Sequence, residues 1–210
     1  MPHKDPEARR AYKKEYMRKN RKTVAYTRFW GMIRRAGKLP GYEDVKVCSE
    51  WRNNHKAYIE WFKKECALIG IDPYDKNITQ NWHVDKDYSM QRLYSPDTCI
   101  LIPKRLNQII QNSSKEHVEF KPNSTKCHYN VRIGDAKNGR MSIGSFTSKS
   151  EAYGIGLQVK AIIIRYWNKY YYRKHMMTKR AYDTIERYVQ VMLMNAVVTY
   201  SDEDTLDKHE

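Results

Sequence analysis

The segment from Ile78 to Asn107, ITQNWHVDKDYSMQRLYSPDTCILIPKRLN, limits what this chain can fold into more than any other. A histidine stands two residues before an aspartate in WHVDKD. The turn-forming sequence YSPDT comes next, then a short apolar strand, CILI, and a helix opened by proline, PKRLNQII. The order is strand, turn, strand, helix, with the ionisable side chains on the first strand and in the turn.

The flanks read as helices before this segment and as a sheet with helices after it. Residues 4–22 form a basic, helix-prone arm with few apolar anchors. Thr23 is placed to cap a helix that stops at Gly37. Ser49 is placed to cap another, in which Trp51, Tyr58, Phe62, Cys66 and Ile69 recur at helical spacing up to Gly70. That aromatic stripe reads as core. After a polar link, NSSKEHVEFKPNSTK, the strands CHYNVRI and RMSIGSF flank GDAKNG, whose Asn138-Gly139 pair signals a hairpin turn. Ser148 and Glu151 form a capping box for a helix over 149–167. The basic, tyrosine-rich NKYYYRKHM then reads as a turn into a last amphipathic helix over 178–198.

The net charge of +15 is unevenly spread. Residues 1–40 hold 13 Lys/Arg against 3 Asp/Glu, the hairpin and the C-terminal helices are also basic, and the tail 201–210 is acidic. An excess of this kind suits a polyanion such as double-stranded DNA. No run of 18 apolar residues suggests a membrane span, and the first residues lack the apolar core of a signal peptide, so a cytoplasmic protein is expected. The four cysteines are far apart and read as free thiols.

In the hairpin, Tyr129, Val131 and Ile133 alternate with His128, Asn130 and Arg132, and Met141 and Ile143 alternate with Arg140 and Ser142. One face is apolar, for the following helix to cover. The other presents Arg, Asn and His between Lys126 and Lys137, and Arg and Asn are the side chains that read guanine and adenine in a major groove.

Phosphodiester hydrolysis needs a base to take a proton from water, a cation to stabilise charge on the leaving oxygen, and a held phosphate. The His-x-Asp spacing of His83 and Asp85, the YSPDTC turn and the later helical Asn107 resemble the HNH, or His-metal finger, endonucleases. VCSEW at 47–51 resembles the leader of the phage-type branch of that family. The resemblance covers roughly residues 24–198. It implies a ββα-metal finger with one Mg²⁺ or Mn²⁺, in which His83 is the general base and Asn107 a second catalytic residue; Asp85, Asp87 and Asp97 are the oxygen donors of this chain that could take over as metal ligands. Trp82 and Thr98 stand where the family has a His or Asp and an Asn. The hairpin, with GSFTSKSEA, resembles the Apetala/ethylene-response DNA-binding domain, which implies DNA contact by Arg132 and Arg140.

The expected fold is α+β. It comprises a basic arm (1–22), a helical region (23–77), an HNH-like finger (78–112), a sheet-plus-helix DNA-binding module with a C-terminal helix (113–200) and an acidic tail (201–210). The expected function is a DNA endonuclease, of homing type in a phage, working inside a bacterial host with one divalent ion and no small-molecule cofactor. Besides Arg132 and Arg140, DNA contacts are expected from His128, Asn130, Lys126 and Lys137, and from Arg18, Arg21, Arg34 and Arg35 of the arm and first helix. The alternative is a DNA-binding protein whose finger no longer cuts. A weaker one is an RNA-binding protein, since basic arms and tyrosine clusters also suit single strands.

Overall fold

The computed structural model describes residues 5–8, 10, 12, 23–75, 80–111, 118–124, 126–135 and 139–203; the side chains of Asp87, Asp135, Arg140 and 198–203 lie outside that description. The fold is α+β, helices with small sheets, and it divides into two compact units, Met1–Leu101 and Ile102–Glu210. Among the described residues no helix is long and apolar enough to cross a membrane.

The first unit is built on aromatic rings. Helix α1, Val24–Arg35, starts at Thr23, whose hydroxyl accepts from the Tyr26 N–H, as expected of that residue. The next helix differs from its expected form. Trp51, Tyr58 and Phe62 do keep helical spacing and are almost wholly buried, but the backbone breaks between α2, Ser49–Asn53, and α3, His55–Leu68. Asn54 leaves the helical conformation and its side chain accepts from the Lys56 N–H, so it ends one helix and caps the next. Ser49 is thus a first helical residue and not a cap, and Cys48 before it makes no side-chain cap bond. The core rings meet edge to face: Trp51 on Tyr58 at 4.9 Å and 90°, with Phe29 of α1 5.6 Å from Tyr58.

Short strands attach to this helical body. β1, Lys46–Val47, runs parallel to β3, Leu93–Tyr94. β2, Trp82–Asp85, is hydrogen-bonded to β4, Ile100–Pro103. A 3₁₀ turn over Asp87–Ser89 follows β2, and helix α4, Lys104–Gln111, follows β4 directly. The expected order of strand, turn, strand and helix is therefore present; the boundary between the two units falls inside β4.

The second unit carries one strand that the polar composition of the link hides. β5, Val118–Phe120, pairs antiparallel with β6, Tyr129–Asp135, which pairs with β7, Gly139–Phe146. Gly139 has φ 80° as the hairpin turn requires; Asn138 lies outside the described residues. Val131 and Ile133 pack against Ala152 of helix α5, Lys149–Arg173, with Ile143, Phe146 and Val159 around them. Arg132 pairs with Ser142 while Val131 pairs with Gly144, so Ile143 is the extra residue of a bulge. Met141, expected on the covered face, is 48 % exposed near the turn.

Ser148 caps α5 by accepting from the Glu151 N–H at 3.1 Å. The helix does not stop at Trp167. It continues through Tyr170, Tyr171 and Tyr172 to Arg173, because Tyr171 is buried and Tyr172 stacks on Tyr182 at 4.6 Å. The turn comes at Lys174–Thr178, with His175 at φ 53°. Helix α6, Lys179–Glu203, then packs along α5 through Ala161, Ile164, Ala181 and Ile185. Asn168 ties the pair by donating to the Tyr182 carbonyl and to Glu186.

Lys160 of α5 is 1 % exposed, and its Nζ has no hydrogen-bond partner. Burial lowers its pKa from 10.5 to about 7. Above pH 10.5 the amine is neutral in both folded and unfolded chains and folding carries no penalty. As the pH falls toward 7 only the unfolded chain gains the proton, so stability is lost across that window, at about 1.4 kcal/mol per pH unit. Thermal or urea melts should therefore show the protein gaining stability from pH 7 to pH 10. Lys160→Met should be more stable at pH 7 by a few kcal/mol and lack that slope.

Candidate functional site

The strand that carries His83 is held from outside its own ladder. Arg28 of α1 donates through Nη2 to the carbonyl of Trp82, the residue before His83. Its guanidinium also lies 5.5 Å above the ring of Phe62. Burial lowers the pKa of Arg28, opposed by the phenol of Tyr58 and the thiol of Cys66. Trp82 is itself buried, so the start of β2 is fixed while His83 remains half-exposed. A guanidinium taken out of water needs such partners, since each hydrogen bond to a charged group retains about 1.5–3 kcal/mol.

The far end of β2 is a buried polar knot. Asp85 and Lys86 are 5 % and 4 % exposed. The Lys86 ammonium sits 5.2 Å from the ring centre of Tyr94 and 5.7 Å from that of Tyr42. Arg35 lies over the other partner, 5.6 Å from the Tyr42 ring, and hydrogen-bonds the Tyr94 side chain. Burial drives the Tyr94 phenol above its ordinary range, the nearby Asp85 adds to that, and Arg35 opposes it. Cys99 is pushed up to about 12 by burial, so it is a packed thiol and not a nucleophile.

Between β3 and β4 the turn is closed by Thr98. Its Oγ1 accepts from the Ser95 N–H at 3.1 Å, lies 3.0 Å from Ser95 Oγ, and donates to the Leu93 carbonyl. Ser95 Oγ in return accepts from the Thr98 N–H at 3.2 Å. Thr98, expected at the position of the family's Asn, thus spends its hydroxyl on the loop. Asp97, in the same turn, is exposed.

The expected metal ligands differ in their exposure. Asp85 is buried and Asp97 exposed, and the Asp87 side chain lies outside the described residues. Among the described residues, no three of His, Cys, Asp and Glu form a group that could hold an ion. Asn107 is 2 % exposed on α4.

On the hairpin, the polar face differs from its expected form at Asn130. The side chain is 4 % exposed and accepts from the Ser145 hydroxyl at 3.1 Å. It sits on the central strand, opposite Glu119 of β5, so it is a partnered structural residue and not one offered to solvent. Arg132 is exposed and forms an ion pair with Glu119 at 3.5 Å. His128 stacks on Phe120 at 6.1 Å, and Lys126 is exposed. Arg34 is exposed at the end of α1. The Arg140 side chain, Lys137, Arg18 and Arg21 lie outside the described residues. All four cysteines are free, with Cys66 and Cys99 buried.

Three residues of these sites escape a reading by motif: Arg28, Lys86 and Glu119. Arg28 does leave a trace, since it lies among the apolar positions Ala25, Phe29 and Met32 of α1. No family model matches the chain, and no curated protein or solved structure matches it.

The Thr98 network yields a measurable consequence. Thr98→Val removes the hydroxyl at nearly constant volume and should lower stability by about 1–3 kcal/mol, because the Leu93 carbonyl and Ser95 N–H lose their partner. Thr98→Ser should retain most of it, as read in urea denaturation.

Proposed function

We propose that the protein is a DNA endonuclease of the His-metal finger type, hydrolysing phosphodiester bonds with one divalent ion. The observation that carries this reading is His83, half-exposed on a short strand whose start is pinned by Arg28. That strand is paired with a second strand leading straight into a helix. The net charge of +15 supports a polyanionic substrate.

In this reading the His83 imidazole takes a proton from the attacking water; a neutral imidazole is the side chain suited to that at pH 7. Asp85, Asp87 and Asp97 would hold Mg²⁺ or Mn²⁺, a hard cation for which carboxylate oxygens are the fitting donors. When bound, the ion supplies charge stabilisation at the leaving oxygen. Arg132 and Arg140 would contact the duplex, with Lys126 and Arg34 on phosphates.

A second reading, a DNA-binding protein whose finger is kept as scaffold, is favoured by Thr98. Its hydroxyl is committed to Ser95 and Leu93, and Trp82 is packed away beside the base. Plasmid incubated with the protein and Mg²⁺ or Mn²⁺ separates the two. The nuclease reading expects nicked or linear product that disappears in His83→Ala, and intact plasmid under every metal would sink it.

Duplex binding has its own measurement. Arg132→Ala/Arg140→Ala should weaken binding and reduce the salt slope by about 2, roughly one for each phosphate no longer neutralised. Glu119→Gln should strengthen binding, because the carboxylate now competes with phosphate for Arg132.

A further inference from the structure

From Ala152 to Tyr182 the chain contains no Asp or Glu and 7 Lys/Arg. Some of these cations are already engaged. Lys160 is buried, Arg165 pairs with Glu186 at 3.2 Å, and Lys179 pairs with Asp183 at 2.6 Å. Lys169, Arg173 and Lys174 are exposed, and among the described residues they have no ion pair.

Two of those three lie in a pattern. Tyr166, Lys169, Tyr170 and Arg173 stand at i, i+3, i+4 and i+7 of α5, so they share one face of the helix. Tyr166 is 64 % and Tyr170 41 % exposed. Neither ring hangs loose. Each meets the Trp167 ring edge-on, at 5.4 Å and 84° for Tyr166 and at 5.4 Å and 80° for Tyr170. Trp167 is itself clamped by the Arg105 guanidinium of α4, 4.0 Å from its ring centre. The result is two braced, outward aromatic rings about 6 Å apart along the axis, with cations between and beyond them.

We propose that this face of α5 binds an unpaired polynucleotide strand, with bases stacking on Tyr166 and Tyr170 and phosphates meeting Lys169, Arg173 and Lys174. Stacking needs exposed base faces, which a duplex hides and a single strand offers. A second copy of the chain is a poor occupant, because it would bring Lys169 and Arg173 against their own kind with no acid on the stripe. An acidic peptide would use the cations but leave the rings idle. The proposal uses none of the residues assigned to the nuclease reading or to duplex contact by the hairpin, and it stands whether or not the finger cuts.

The full chain is titrated by fluorescence anisotropy against labelled oligothymidylate, oligouridylate and a mixed-sequence duplex, each of about 20 nucleotides. Tyr166→Ala/Tyr170→Ala is expected to weaken single-strand binding roughly tenfold or more and to leave duplex binding unchanged. Tyr166→Phe/Tyr170→Phe keeps the stacking faces and should bind as wild type. Lys169→Gln/Arg173→Gln/Lys174→Gln should reduce the single-strand salt slope by about 2. Binding to either single strand supports the proposal, and the tighter of the two identifies the sugar. His83→Ala and Arg132→Ala should not change it, so its failure is distinct from failure of the nuclease reading. Wild-type single-strand affinity in the alanine pair would overturn the proposal. So would an equal loss in the phenylalanine pair, or an alanine pair that changes only the sedimentation of the protein.

Discussion

A four-residue strand in a two-stranded sheet is poorly fixed by its own ladder. In this protein the fixing is done by Arg28. Its guanidinium reaches out of an aromatic core, takes the Trp82 carbonyl, and keeps the Phe62 ring beneath it. The arrangement ties helices α1 and α3 to the start of β2, so the packing of Trp51, Tyr58 and Phe62 sets the position of His83 although none of these rings need touch a substrate. A cation there is unfavourable in itself, as the downward shift of Arg28 shows. It is tolerated because its removal would leave a buried carbonyl without its partner.

The second unit solves the same problem by a different route. Its sheet has three strands and a helix across one face, enough to hold the central strand without a cation. Helix α5 is used on most of its circumference: by the sheet at Ala152, by α4 at Trp167, by α6 at Asn168. The stripe through Ile162, Tyr166 and Tyr170 is left outward, as is Tyr153 near the start of the helix. Lys160 is the exception to the apolar filling of this helix, and its unpartnered amine is a cost to folding that packing alone does not explain.

What could be read from residues alone were the features whose cause is local. Thr23 and Ser148 cap because a hydroxyl reaches an N–H three residues on, and Gly139 turns because it accepts positive φ. The strand–turn–strand–helix order around His83 was legible for the same reason. The features that escaped depend on distant partners. VEF becomes a strand only by pairing with β6, and without β5 beside it Asn130 looks like a solvent residue. The YYY run continues α5 only because Tyr171 finds a core and Tyr172 finds Tyr182. Asn54 breaks a helix whose apolar spacing runs on unbroken, since its side chain competes for the backbone. At the candidate site, His83 and Asp85 could be picked out by spacing, whereas the knot of Lys86, Tyr94 and Arg35 could not, because its members come from three separate stretches of chain.

The net charge of +15 conceals three kinds of cation, and burial separates them. Arg28 and Lys86 lie against rings and carbonyls in the interior and hold structure. Arg132 has an exposed carboxylate partner, and such surface pairs are worth about 0–1 kcal/mol, so a phosphate can readily take the place of Glu119. Among the described residues, Lys169, Arg173 and Lys174 have no carboxylate to give up. A polyanion approaching the second unit therefore meets the least resistance at α5, where no ion pair has to break, and more at the hairpin, where one does. The acid-free stretch from Ala152 to Tyr182 is what makes that difference, and it places the free charge beside the two braced tyrosines rather than on the sheet.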